Sequence, residues 1–169
     1  MNLETYLIWL LRIIHIVGGV FWVGGSLIMS FFVSPTAGAT GEAGQKFVGH
    51  LMNNQKFSSR MAAASGSTLL AGFILYGLDA RAGEAWLRSD FATGLNIGAG
   101  FALVGFVFGM LIGRTAKAMA QLGAQMQGKP SPEQRTRMQA LQKQQATYSN
   151  VSTITLILAV VFMAIARYM

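Results

Sequence analysis

Four apolar runs, separated by polar segments, dominate the pattern of hydrophobic and polar positions along the chain. They cover about residues 13–33, 61–78, 95–113 and 151–166. Each run holds roughly 20 residues with almost no charge, and a helix of that length crosses about 30 Å of hydrocarbon. The pattern therefore predicts an all-α integral membrane protein, a four-helix bundle that forms a single membrane domain over residues 1–169.

Composition agrees with this prediction and narrows the chemistry. Hydrophobic residues make up 53% of the chain and charged residues 11%, whereas a soluble domain carries about 25% charged residues. The absence of cysteine excludes disulfides, thiolate metal sites and iron–sulfur clusters. The net charge of +7 is explained by basic membrane loops, so the expected partner is the lipid bilayer and no nucleic acid.

Lys and Arg are divided unevenly between the two sides of the predicted bundle. Nine lie in the connections between spans one and two and between spans three and four, against four in the N-terminal flank, the middle loop and the C-terminus. By the positive-inside rule, the first and third connections face the cytoplasm. We predict a protein of the bacterial inner membrane with both termini outside the cytoplasm.

The first connection contains helix-breaking and amphipathic signals in succession. We expect span one to end at Ser34-Pro35, because proline and the residue before it resist further helix. A small-residue loop over 36–44 then leads to a short helix over about 45–57. Its apolar and basic residues fall on opposite sides, with Phe47 opposite Lys46, which is typical of a helix lying along the membrane surface.

The third connection, 114–148, predicts a cytoplasmic helical hairpin. Apolar residues recur at helical spacing on both sides of the sequence Gly128-Lys129-Pro130-Ser131-Pro132, which breaks the helix. Ser131 can cap the second arm, since Pro132 stands at its first position. Arms of about 14 residues would reach about 20 Å beyond the membrane. Such a surface suits contact with a partner protein, or it simply joins two helices.

Small residues in the spans predict close helix packing. Gly105, Gly109 and Gly113 form a double GxxxG pattern in span three, and such ridges let helix backbones approach each other within a bilayer. We expect these glycines to pack within one bundle. Self-association, or assembly into a larger membrane complex through the same glycines or through the hairpin, is the alternative.

The most informative group of residues lies along one face of the helix predicted for span one. His15, Gly19, Trp22, Ser26 and Met29 are spaced by four, three, four and three residues, so they share one helix face, and Gly18 and Gly25 widen it. A polar ring facing lipid would be unfavourable, so this face should point into the bundle. His50 lies about 25–30 Å away by helix rise and cannot join His15 at one ligand.

Four roles remain open for His15. It could hydrogen-bond to Asn96 or Tyr76 while the glycines let helices touch. It could be an axial ligand to haem b, in a site lined by Gly18, Gly19, Trp22, Tyr76 and Asn96, because a porphyrin needs a slot between helices. It could bind copper, and Met163 is the best candidate for a second ligand to either haem iron or copper. It could also relay protons. Binding of no cofactor is also compatible with the sequence.

The run Arg12-Ile13-Ile14-His15-Ile16-Val17-Gly18-Gly19-Val20-Phe21-Trp22-Val23-Gly24-Gly25 resembles the first-span signature of small bacterial membrane proteins, a histidine followed by W-x-G-G. The set includes CopD-like copper-resistance domains and HemJ-type protoporphyrinogen oxidases. The resemblance covers about the first 80 residues and implies a bundle whose first-span histidine binds haem or copper. Spans two to four lack the further histidine or lysine of the haem-binding branch, and Lys117 lies beyond the membrane.

Two functions follow as expectations. The first is a CopD-like redox membrane protein that binds haem b or copper through His15. The second is a non-catalytic accessory or assembly subunit of a larger membrane complex. The sequence contains no acid–base pair, nucleophile constellation or phosphate loop, so it leaves enzyme activity open and identifies no catalytic residue.

Overall fold

The computed structural model describes residues 2–126 and 130–169, and this part of the chain is helical with short connections. The helices are α1 (Leu3–Ile28), α2 (Ser34–Ala39), α3 (Glu42–Asn53), α4 (Phe57–Asp79), α5 (Glu84–Leu87), α6 (Asp90–Ala124) and α7 (Pro132–Ile165). A π-helical turn, Met29–Val33, joins α1 to α2, and 3₁₀ turns follow α4 and α7. Four helical segments are long and apolar enough to cross a membrane, which confirms the predicted four spans as an all-helical membrane bundle.

Helices α1 and α4 form an antiparallel pair in which glycines of α1 contact side chains of α4. A β-carbon at Gly25 would lie 2.9 Å from the Met61 sulfur, near the end of α1. At the opposite end of the pair, Glu4 and Arg81 approach to 4.0 Å. The small residues of the first span therefore bring it against the second.

Helices α6 and α7 form the second antiparallel pair. Its seam is a row of small residues on α6: a β-carbon at Gly94 would meet Ala166, one at Gly98 would meet Met163, and one at Gly105 would meet Leu156. The Ser152 hydroxyl crosses this seam and donates to the Gly105 carbonyl oxygen at 3.1 Å. At Gly105, the two helices are therefore joined both by close packing and by an interhelical hydrogen bond.

The predicted ridge of three glycines is only partly correct. Gly105 belongs to the seam, but a β-carbon at Gly109 or Gly113 would meet no atom within 4 Å outside its own helix. Residue spacing of four cannot distinguish a ridge that follows the seam from one that leaves it, because the helices cross at an angle. The seam continues toward Gly94 instead.

The α1–α4 pair and the α6–α7 pair contact each other through a few side chains. Trp22 of α1 is buried and packs edge-to-face on Phe106 of α6, with ring centroids 6.3 Å apart. Further along, the Ser30 hydroxyl lies 2.9 Å from the Ser149 hydroxyl and 2.8 Å from that of Thr153.

The first span does not end at Ser34-Pro35, so that prediction is wrong. The π turn bonds the Ser34 amide to the Met29 carbonyl, one residue further back than in an α-helix, and helix resumes through Pro35 to Ala39. A wider turn accommodates a residue that has no amide proton. The expected loop over 36–44 is therefore mostly helix.

Helix α3 covers Glu42–Asn53 rather than 45–57, and it packs tightly against α2. A β-carbon at Gly44 would lie 2.5 Å from the Ala37 α-carbon, so only glycine fits at this corner. Phe47 on α3 is 59% exposed.

Helices α6 and α7 continue well past their apolar runs. They contain 35 and 34 residues, or about 50 Å each at 1.5 Å per residue, against about 30 Å of hydrocarbon. Ser131 caps α7, as the sequence predicts, and its side chain also forms a capping box with Gln134. Residues 127–129, which include Gly128 and Lys129 of the break, lie outside the described part of the chain.

Candidate functional site

His15 lies half-buried between α1 and α4. Its Nδ1 atom is 2.8 Å from the backbone carbonyl oxygen of Thr68, and its ring fills the space beside Gly72. A β-carbon at Gly72 would lie 2.8 Å from the His15 Cε1 atom. The imidazole therefore points inward, as the sequence predicts, and it is held by the backbone of α4.

The Thr68 contact fixes which ring nitrogen of His15 carries a proton. A carbonyl oxygen can only accept a hydrogen bond, so Nδ1 donates. In the neutral ring, Nε2 then has a lone pair and no proton. Nε2 makes no hydrogen bond to any part of the chain that the structure describes.

The space left by Gly18 and Gly19 beside His15 is occupied by α4. A β-carbon at Gly18 would lie 2.6 Å from the Thr68 hydroxyl oxygen, and one at Gly19 would lie 3.5 Å from the Thr68 methyl group. The Thr68 hydroxyl is buried and has no hydrogen-bond partner within residues 2–126 and 130–169. These glycines therefore allow helix contact rather than leaving a slot beside the imidazole.

The other predicted site residues do not converge on His15. Tyr76 packs edge-to-face on Trp86 at 5.2 Å, and Asn96 is exposed. Trp22 faces Phe106 of α6, and Met163 packs against Gly98. The hydrogen bond expected from His15 to Asn96 or Tyr76 is made to the Thr68 carbonyl instead.

The positions of these residues can be compared with what a copper site and a haem site each require. Copper requires several convergent donors, but His15 contacts α4 whereas Met163 contacts α6. The described residues contain no group of three His, Cys, Asp or Glu side chains that could hold a metal ion. The structure therefore does not bring His15 and Met163 together as a pair of copper ligands. For haem the residues provide one correctly oriented imidazole, while the glycines predicted to form the slot are already filled.

Sequence reasoning missed Thr68 and Gly72 as the partners of His15. The available signal was their spacing: Ala64, Thr68 and Gly72 recur every four residues and give span two a small-residue ridge. In an antiparallel pair, such a ridge faces the glycines of span one. Span two could face His15 with this ridge or with the side that carries Tyr76. The choice depends on the register between spans one and two, which cannot be read from the sequence.

Four helices that are long and apolar enough to cross a membrane define the class of the protein, an all-helical integral membrane protein. The contacts between these helices arrange them as two antiparallel pairs. No protein-family model matches the chain, and neither curated proteins nor solved structures gave a match. The likeness of the first span to CopD-like and HemJ-like proteins therefore remains a resemblance.

Proposed function

We propose that this protein is a non-catalytic accessory or assembly subunit of a larger bacterial inner-membrane complex. The observation that carries the proposal is the continuation of α6 and α7 as a paired hairpin beyond their apolar runs. Thr115 and Leu122 are about 5% and 6% exposed within it, so the arms pack against each other. A preformed hairpin of this kind presents a rigid surface outside the bilayer.

The hairpin surface is basic. Arg114, Lys117, Arg135, Arg137 and Lys143 are exposed, and Glu133 is the one acidic residue among the described residues of the hairpin. None of the five cations forms an ion pair within the described chain. The tip would stand about 20 Å from the bilayer, beyond the Debye length of about 8 Å, so an acidic protein surface is the fitting partner.

The packing of His15 supports the same proposal. A ring hydrogen-bonded to the Thr68 carbonyl and seated against Gly72 connects two spans directly. Interhelical hydrogen bonds in membranes contribute about 0.6 kcal/mol on average. In this role His15 positions α1 against α4 and takes no part in chemistry.

Affinity purification after cross-linking in native membranes tests the proposal. We expect a defined set of partners with the wild type and with Gln139→Ala/Gln142→Ala, a control on the same arm that leaves charge unchanged. Arg135→Gln/Arg137→Gln should lose those partners. Equal recovery with the charge variant, or no specific partner with the wild type, would argue against an accessory role.

Because the chain contains no cysteine, its orientation can be tested with single introduced cysteines. Ala85→Cys lies in the connection between α4 and α6, and Gln139→Cys lies in the hairpin. With both termini outside, a membrane-impermeant maleimide should label Ala85→Cys in intact cells and Gln139→Cys only after lysis. The reverse pattern would place the hairpin outside.

A second candidate function is haem b binding in a redox role, as the first-span resemblance implies. One observation favours it: the His15 Nδ1 bond to a carbonyl leaves Nε2 with its lone pair, which is how proteins orient ligating imidazoles. Bound haem would supply one-electron chemistry, and His15 would hold it through Nε2.

The absorption spectrum of the purified protein separates the two candidates. Haem binding predicts a Soret band that His15→Ala removes and His50→Ala retains. A colourless wild-type protein, without copper by metal analysis, would exclude the redox role and favour the accessory role.

A further inference from the structure

An apolar groove lies at the corner between the π turn, α2 and α3. Its volume is about 370 Å³, and its walls include Phe32, Val33, Ala37, Ala43 and Phe47. Phe32 is 67% exposed and Phe47 is 59% exposed. Aromatic surface of this extent is unfavourable in water, so an apolar phase should cover this corner.

The packing of α1 on α4 places the groove at the membrane boundary. Helix α4 contains 23 residues, or about 34 Å, so it crosses the hydrocarbon with little to spare. Its first residue, Phe57, lies beside Gly25 of α1. The π turn begins four residues after Gly25, about one helical turn further, which corresponds to the lipid headgroup layer.

The charges around this corner favour an anionic occupant. Lys46, Lys56 and Arg60 belong to α3 and to the start of α4, and Glu42 is the one acidic residue between 40 and 60. Glu42 pairs with Lys46 on the exposed surface at 2.7 Å, a type of ion pair that contributes little and is readily exchanged. Lys56 and Arg60 form no ion pair within the described residues.

We propose that this corner is a binding site for an anionic phospholipid, with an acyl chain in the groove and the phosphate held by the nearby cations. Basic clusters on the cytoplasmic side of membrane spans attract anionic headgroups, and an apolar groove adds selectivity for a lipid over a free anion. The proposal does not depend on the accessory role of the hairpin.

The experiment is native mass spectrometry of the full-length protein, purified in detergent with equimolar phosphatidylglycerol and phosphatidylcholine of identical acyl chains. We expect the wild type to retain phosphatidylglycerol preferentially. Ala43→Phe fills the groove from an exposed position and should abolish retention. The matched control, Ala39→Phe, places the same side chain on an exposed α2 position outside the groove and should behave as the wild type.

Charge variants test the headgroup contact separately. Lys56→Gln/Arg60→Gln should reduce the preference for phosphatidylglycerol by about fivefold per charge. Arg135→Gln/Arg137→Gln removes the same charge from the hairpin and should leave the preference unchanged. Circular dichroism should confirm that all variants retain the helix content of the wild type.

Three results would overturn the proposal. They are equal retention of the two lipids by the wild type, equal retention by Ala43→Phe and Ala39→Phe, and conversion of a dimer to a monomer by Ala43→Phe without loss of lipid. The last result would make the groove a contact between two copies of the chain.

Discussion

Replacing Gly72 with alanine is the most direct perturbation of the contact between α1 and α4. The added β-carbon would lie 2.8 Å from His15 Cε1 and 2.9 Å from Nδ1. To restore an ordinary contact of at least 3.4 Å, the imidazole has to move away from α4. Its 2.8 Å hydrogen bond to the Thr68 carbonyl would then be stretched or broken.

The expected magnitude follows from three contributions. Loss of an interhelical hydrogen bond in a membrane costs about 0.6 kcal/mol on average and up to about 1.7. Overpacking of a close contact costs about 1–3 kcal/mol. Alanine recovers about 1 kcal/mol through its higher helix propensity, so Gly72→Ala should lower the free energy of unfolding by about 1–3 kcal/mol.

Reversible unfolding in mixed micelles with increasing SDS, followed by circular dichroism, measures this change. Gly66→Ala is the matched control, because Gly66 lies on the same helix and a β-carbon there would meet no atom within 4 Å. We expect Gly66→Ala to be neutral or to stabilise the protein by up to about 1 kcal/mol.

A double-mutant cycle identifies the cause of the effect. If Gly72→Ala acts through the imidazole, it should cost little in a His15→Ala background, because the obstructing ring is gone. The reasoning would be refuted if Gly72→Ala were as stable as Gly66→Ala, or if its cost were unchanged without the His15 ring.

Three further substitutions test other contacts by the same unfolding assay. Gly44→Ala should destabilise the α2–α3 corner by about 1–3 kcal/mol, whereas Gly49→Ala, with open space on the same helix, should not. Ser30→Ala removes two hydroxyl contacts between the helix pairs and should cost about 1 kcal/mol; no change would mean that they contribute nothing. Ser131→Ala should cost about 1 kcal/mol by removing the α7 cap. The Ser131 hydroxyl also donates a hydrogen bond to the Glu133 carboxylate, which lowers the pKa of Glu133. Stabilisation by this hydrogen bond should be present above the ordinary pKa of Glu133 and lost as the pH falls through the lowered pKa. Amide exchange at the start of α7 that stays constant through that range would contradict this expectation.

Much of the fold could be predicted from the sequence because the bilayer imposes it. A run of apolar residues long enough to cross hydrocarbon has few alternatives to a helix, and Ser131 with Pro132 marks a helix start by local chemistry alone. The path through Pro35 could not be predicted in this way. Whether proline ends a helix or follows a wider turn depends on the packing of the neighbouring helices.

The candidate site was predicted less completely. The inward orientation of His15 follows from its spacing with Gly19 and Trp22, and the structure agrees. Its partners depend on the register of two helices, and neither Thr68 nor Gly72 carries a local signal for that register. A backbone carbonyl as acceptor is invisible to side-chain patterns, because every residue has one.

The division of the molecule into two antiparallel pairs has a consequence for its biogenesis. Each pair has its own glycine-based interior, so each can enter the bilayer as a separate unit before Trp22 meets Phe106. Two co-translated fragments, divided between α4 and α6, should therefore reassemble into the native protein without a covalent link.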